Sequence, residues 1–322
     1  MLKILCDWIV FSLFKMDAGS RIGVAINFFI YDSLKILFLL FIMIAIIGFL
    51  RSFIALEKAE KWLSGKKYLA NIIASIFGAV TPFCSCSSIP IFLSFVRTNI
   101  PLGVTFSFLI TSPLINEYLV ILMLGSFGFK ITLAYVFSGL LIGVFSGIII
   151  GKMHLEKYIE KDIISPNDTA EAYEIKINGL FSRMKFGLNE AVDIVKKLWL
   201  WVLVGVGIGA LIHNYIPQEA ILSVINKTGP FSVPIATAIG VPIYGSCAAI
   251  VPIAVVLFKK GVPLGTALAF MMATSALSFP EAIILRRAMK IHLIIMFFLI
   301  TAISICFTGY FLNYLQPLLV LN

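Results

Sequence analysis

Two cysteines one residue apart, Cys84 and Cys86, lie in Thr81-Pro82-Phe83-Cys84-Ser85-Cys86-Ser87-Ser88-Ile89-Pro90, a thiol- and hydroxyl-rich break in the apolar run from Leu69 to Val96. Thiolates are soft ligands that suit Cu(I), zinc and other soft acceptors such as trivalent arsenic. On a non-helical tip both sulfurs of such a pair can face one side. Their spacing is shorter than that of a zinc knuckle, which argues against a structural zinc site. A second interrupted run, Val241-Pro242-Ile243-Tyr244-Gly245-Ser246-Cys247 with Pro252 beyond it, offers Ser246 and Cys247 in the matching place. If the two tips meet, three sulfurs converge. Three would suit inorganic arsenite, and two would suffice for a methyl- or aryl-arsenic(III). The competing reading is that cysteine here is only small, apolar and able to pack in a tight turn.

Of the 16 acidic residues, Glu117 and Glu281 are the two read as lying well inside apolar runs. An ionised carboxylate at the centre of a bilayer costs several kcal/mol, so such a residue faces a cavity, pairs, or stays protonated. Asn116 can hydrogen-bond Glu117 or a ligand, and Pro280 frees a carbonyl one turn before Glu281. Proton coupling and substrate binding are one reading of the pair; capping of the free amides of broken helices is the other. His154, His213 and His292 have no ligand-like spacing. There is no phosphate-binding glycine loop, nucleophile elbow or metalloprotease signature, so neither a cofactor nor an enzymatic activity is expected.

The elements that must position these residues follow from composition. The chain has 322 residues, 60% hydrophobic and 13% charged, with mean hydropathy +1.04. That excludes an ordinary soluble domain and points to an all-α polytopic membrane protein in the cell membrane. Its net charge of +9 reads as loop bias beside the spans rather than a nucleic-acid footprint. Residues 1–28 read as an interfacial helix, 29–151 as a first membrane repeat, 152–193 as a polar cytoplasmic linker and 194–322 as a second repeat. Spans are expected at 28–50, 102–124, 129–150, 194–211, 264–285 and 291–315. Between them lie the two runs broken by Pro82 and Pro90 and by Pro242 and Pro252, since an interior proline removes a helical hydrogen bond. Gly139, Gly143, Gly147 and Gly151 form a flat face for close helix packing.

The two repeats match in order: Pro82 with Pro242, Pro90 with Pro252, Pro101-Leu102-Gly103 with Pro263-Leu264-Gly265, Thr111-Ser112 with Thr274-Ser275, and Glu117 with Glu281. The offset drifts from 160 to 164 residues. Paired interrupted segments in two halves point to a transporter site. If both broken runs are re-entrant hairpins, the halves are inverted and 17 of the 25 basic residues share one side; full crossing by both gives at best 15. Basic residues accumulate on the cytoplasmic side, so inverted hairpins are expected.

The ten-residue motif at Thr81–Pro90, followed by Pro101-Leu102-Gly103 and Thr111-Ser112-Pro113, resembles the family of predicted permeases that contains the YraQ and ArsP branches. The likeness covers roughly 30–150 and 195–315. Members of the ArsP branch are efflux permeases for trivalent organoarsenicals, and related members are linked to arsenite resistance. The resemblance implies that Cys84 and Cys86 are the thiol pair that binds the metalloid.

The expected function is therefore a secondary efflux transporter of a small soft-ligand-binding solute such as trivalent (organo)arsenic, working by alternating access. Its expected substrate-binding residues are Cys84, Ser85, Cys86, Ser87, Asn116, Ser246 and Cys247, with Glu117 and Glu281 coupling protons. The alternatives are an intramembrane thiol oxidoreductase and a permease for an unrelated small solute. Expected partners are the lipid bilayer and a small-molecule or metalloid substrate, with a homo-oligomer left open and no nucleic acid.

Overall fold

Long apolar segments satisfy their own backbone only as helices when no water is at hand, and helices are what this chain forms. The computed structural model describes residues 6–13, 17, 20–51, 68–81, 85–97, 100–160, 180–215, 225, 229–243, 247–286 and 288–320. Among them the helices are α1 (Arg21–Arg51), α2 (Leu69–Val80), α3 (Ser85–Arg97), α4 (Leu102–Leu114), α5 (Glu117–Lys152) and α6 (Leu180–Tyr215). Then come α7 (Ser232–Gly240), α8 (Cys247–Lys259), α9 (Leu264–Ala276), α10 (Phe279–Leu285) and α11 (Ile291–Val320). The described residues contain no strand, only one isolated bridge between Ile159 and Met289. Glu117–Lys152, Leu264–Leu285 and Ile291–Val320 are long and apolar enough to cross a bilayer, consistent with an all-α membrane protein.

Several boundaries differ from the sequence reading. A π-helical turn at Trp8–Leu13 precedes α1, which already begins at Arg21 inside the stretch read as interfacial. Asp7 accepts a 2.7 Å hydrogen bond from Asn27 and ties the two together. α6 begins at Leu180, so the last third of the expected linker is helical. Residues 161–179 of that linker lie outside the described residues. The expected spans 102–124 and 264–285 are each two helices, broken at Ile115–Asn116 and at Leu277–Ser278. α5 bends at Gly128, whose φ of 80° and ψ of 175° only glycine adopts readily.

At the centre stand α4 and α9. All thirteen residues of α4 are buried, and so are twelve of α9. At 1.5 Å per residue each spans about 20 Å, two thirds of a 30 Å hydrocarbon layer. They touch each other, and each is flanked by the same kinds of neighbour: α2, α3 and α5 surround α4, while α7, α8 and α11 surround α9. α1 and α6 pack along one another as an outer pair.

The glycine row of α5 has the packing role expected of it. A Cβ on Gly147 would meet the Ser107 hydroxyl and stand 2.6 Å from the Gly103 carbonyl; one on Gly143 would meet the Thr111 hydroxyl. Gly103, Ser107 and Thr111 of α4, and Ile115 just past its end, thus drop into the notches above Gly151, Gly147, Gly143 and Gly139. Such small-residue contacts let backbones approach closely where apolar burial gives no drive. Ser107 and Thr111 bond the carbonyls four residues back, at 3.1 and 2.8 Å, so these two hydroxyls are satisfied within α4.

Candidate functional site

Each broken run folds as two short arms. α2 has 12 residues and α3 has 13, about 18 and 20 Å. Tyr68, at the start of α2, and Pro101, just after α3, line one 420 Å³ cavity, so the chain leaves where it entered. Ser232 and Pro263 line a 790 Å³ cavity in the same relation to α7 and α8. Asn71 donates to Ser107 across α2 and α4 at 2.9 Å, and Ser232 pairs with Thr266 across α7 and α9 at 3.1 Å.

The arms begin and end in step. Ser85 and Cys247 open α3 and α8, and Leu102 and Leu264 open α4 and α9, both pairs 162 positions apart. The close contacts keep that spacing. Gly78 lies against Phe108 and Ser112 as Gly240 lies against Phe270 and Thr274; Gly103 lies against Gly147 and Gly151 as Gly265 lies against Gly309 and Asn313. This register corrects three of the matches read from sequence: by count Pro82 falls level with Tyr244 rather than Pro242. Thr111-Ser112 stands opposite Ala273-Thr274, and the two glutamates are not equivalent: Glu117 corresponds to Phe279, and Glu281 to the fully buried Leu119.

The proline reading also changes. The helices run through Pro90 and Pro252, each at the sixth position of its arm. Near a helix start a proline forfeits one hydrogen bond, and the chain then continues as helix. Pro242 does lie in the turn after α7, whereas Pro82 lies outside the described residues, as do Cys84 and Ser246. Ser85, Cys86 and Ser87 form the first turn of α3 and Cys247 the first residue of α8; the description of these four stops at the backbone.

The second interruption in each half was missed, although its signals are plain. At the first, Pro113 cannot donate inside α4, and Asn116 then caps α5 by accepting from the Tyr118 amide at 2.9 Å. The Tyr135 hydroxyl, itself buried, donates to the Leu114 carbonyl at 2.9 Å and satisfies part of the exposed α4 end. At the second, Ser278-Phe279-Pro280-Glu281 has the Ser-x-x-Glu order of a helix start with proline in the first turn. The Phe279 amide donates to the Val241 carbonyl at 3.1 Å, which holds this break against the tip of the α7–α8 hairpin.

The carboxylates part company at these breaks. Glu117 is the exposed first residue of α5, while Glu281 sits in the first turn of α10 with 2% of its surface accessible. α3, the arm that starts with Ser85-Cys86, packs against α10, and α8, the arm that starts with Cys247, packs against α5. Each thiol-bearing arm therefore lies against the post-break helix of the other half. The remaining thiols are elsewhere. Burial and then the Asp7 carboxylate push the Cys6 thiol above its ordinary range, which keeps it protonated and a poor ligand. Cys306 leans on Thr237 at 3.6 Å. No cluster of three metal-ligating side chains occurs among the described residues.

A family profile described as predicted permease matches residues 21–314, nearly the whole of this helical array. The chain belongs to the ArsP_1 predicted permease family. Its relatives include the UPF0718 protein YcgR of Bacillus subtilis, 22% identical over 61% of this permease and 66% of that protein. Another is the UPF0718 protein MJ0584 of Methanocaldococcus jannaschii, 23% identical over 69% of this permease and 76% of that protein. The permease thus spans just under two thirds of the length of the Bacillus relative. No solved structure matches it.

Proposed function

We propose that this permease is a secondary efflux transporter that carries a small soft-ligand-binding solute, trivalent organoarsenic above all, by alternating access between two inverted halves. The observation that carries the reading is the pair of hairpins whose second arms open at Ser85-Cys86 and at Cys247, 162 positions apart. Short arms that enter and leave on one face bring helix N-termini to membrane depth, where substrates of broken-helix transporters bind.

Inversion has its own support. α1 and α6 hold the same place in their halves and run antiparallel: a Cβ on Gly187, near the start of α6, would stand 2.8 Å from the Phe49 nitrogen near the end of α1. Farther along α6, a Cβ on Gly207 would meet the Phe29 ring at 3.5 Å. Gly151, His154 and Glu156 line the cavity at the base of the first hairpin, while Ile159 pairs with Met289, a whole α9–α10 length away from the base of the second. The two hairpins then open to opposite faces. In this reading residues 29–151 and 194–322 are the repeats, with α6 starting earlier, and the basic face is cytoplasmic.

In this reading Cys84, Cys86 and Cys247 supply the sulfurs, and Ser85, Ser87, Ser246 and Asn116 supply polar groups for the same solute. Glu281, buried on the helix that the Cys86 arm packs against, is the proton-coupling group. Glu117 stands exposed at the start of α5 and serves that helix's positive end rather than coupling. The test is uptake of methylarsenite and arsenite into everted vesicles by wild type and by Cys84→Ser, Cys86→Ser and Cys247→Ser. Loss of methylarsenite transport in the first two variants is expected, with Cys247→Ser costing arsenite alone. Normal transport of both compounds by all three variants would refute the thiol site.

A further inference from the structure

Among the contacts that join the halves outside the hairpins, one cluster lies between the ends of two helices on the basic face. The segment that follows α5 runs antiparallel to the connection between α10 and α11. The Glu160 amide donates to the Ala288 carbonyl at 3.1 Å and the Lys290 amide to the Tyr158 carbonyl at 2.8 Å, framing the Ile159–Met289 bridge. Arg286 pairs with Glu160 at 3.2 Å and also donates to the Met289 carbonyl at 3.3 Å. The Tyr158 ring packs at a tilt against His292 with centroids 4.5 Å apart. Leu155, Ile159, Ala288 and Met289 are buried beneath.

We propose that this clasp is the inter-half gate on the basic face, closed in this structure and parting when the permease opens to that face. The proposal rests on the alternating-access reading above. Three features favour a gate over a fixed brace. The clasp is made between the end of α5 and the turn that ends α10, segments of opposite halves that part if the halves rock apart on this side. Its bonds are few and its ion pair is partly solvated, with side-chain exposures of 41% for Arg286 and 29% for Glu160, so it is weak enough to break within a transport cycle. It is also continuous with α10, whose first turn holds the buried Glu281 and which packs against α3 and α6. Movement at the carboxylate and release of the clasp are then motions of one short rigid helix.

The test reads the gate without needing a substrate. In vesicles whose basic face is outward, the rate at which a membrane-impermeant maleimide labels Cys84, Cys86 and Cys247 is measured in a Cys6→Ser, Cys306→Ser background. Glu160→Gln is expected to raise that rate about two- to five-fold, the range a partly exposed ion pair supports. The exchanged pair, Glu160→Arg with Arg286→Glu, is expected to return it to the starting value. In Ile159→Cys with Met289→Cys, residues facing each other across an antiparallel bridge are within disulfide reach. Oxidation of this pair is expected to close the tip thiols to the probe, and reduction to reopen them. Failure of the disulfide to form, or labelling that stays unchanged with it formed, overturns the gate. So does Glu160→Gln labelling at the wild-type rate. These outcomes are independent of arsenical uptake, so a failed substrate assignment and a failed gate are told apart.

Discussion

Replacing Gly147 by alanine tests whether α4 is held by backbone contact with α5. A Cβ there would run into the Ser107 hydroxyl, and would stand 2.6 Å from the Gly103 carbonyl and 2.9 Å from the Ser107 nitrogen. Two of these three neighbours are backbone, so no rotamer change relieves the clash and the two helices must move apart. Overpacking of a tight interior contact costs about 1–3 kcal/mol. At about 2 °C of melting temperature per kcal/mol for a chain this long, the expected fall is about 2–6 °C. The assay is apparent melting of the detergent-solubilised protein followed by helical circular dichroism, with two controls. Gly125→Ala, which meets nothing within 4 Å, should melt like wild type or slightly higher. Gly128→Ala, equally free of neighbours but at φ 80°, isolates backbone strain and should cost about 1–3 kcal/mol. A Gly147→Ala protein that melts within 1 °C of wild type, roughly half the smallest expected shift, would refute the close-approach account. So would a Gly125→Ala protein that loses as much.

Tyr135→Phe removes the donor to the Leu114 carbonyl and leaves a buried acceptor unmet, so melting should fall by about 2–6 °C, the equivalent of about 1–3 kcal/mol. An unchanged melting temperature would mean that the α4 end is satisfied without it. Glu281→Gln should make vesicle uptake indifferent to collapse of the pH gradient, while Glu117→Gln should leave that dependence intact. The opposite pattern would move the coupling group to α5. Single cysteines at Tyr68 and at Lys260 should label from opposite faces of the membrane. Labelling of both from one face would refute inversion.

The sequence carried the architecture further than the site. Apolar runs located α1, α11 and the second part of α5, and Pro242 marked the turn after α7 because proline is a local, legible obstacle to helix. The second pair of breaks was hidden for the opposite reason. Asn116-Glu117 and Ser278-Phe279-Pro280-Glu281 are helix-start signals, yet inside an apolar run they read as polar groups in mid-span. Once helices are in place, the register that separates Glu117 from Glu281 comes from glycine contacts such as Gly78 on Ser112 and Gly240 on Thr274. No alignment of residue types contains those distances. The early start of α6 was legible in principle: Leu180, Met184, Leu188 and Val192 recur every fourth residue amid charges, a helical stripe in a stretch read as linker.

The brevity of the arms bears on how the chain reaches its membrane. Insertion machinery recognises a segment by about 20 consecutive apolar residues. α2, α3, α7 and α8 have 12, 13, 9 and 13, and α4 and α9 carry buried Thr105, Ser107, Thr111, Thr266 and Thr274. Such segments enter lipid only in the company of the helices that cover them. α4 is covered in part by α9, which the ribosome makes 162 residues later. The first half must therefore wait, incompletely assembled, until most of the second has emerged, and a chain stopped after residue 215 is expected to be taken for degradation rather than to persist as half a permease.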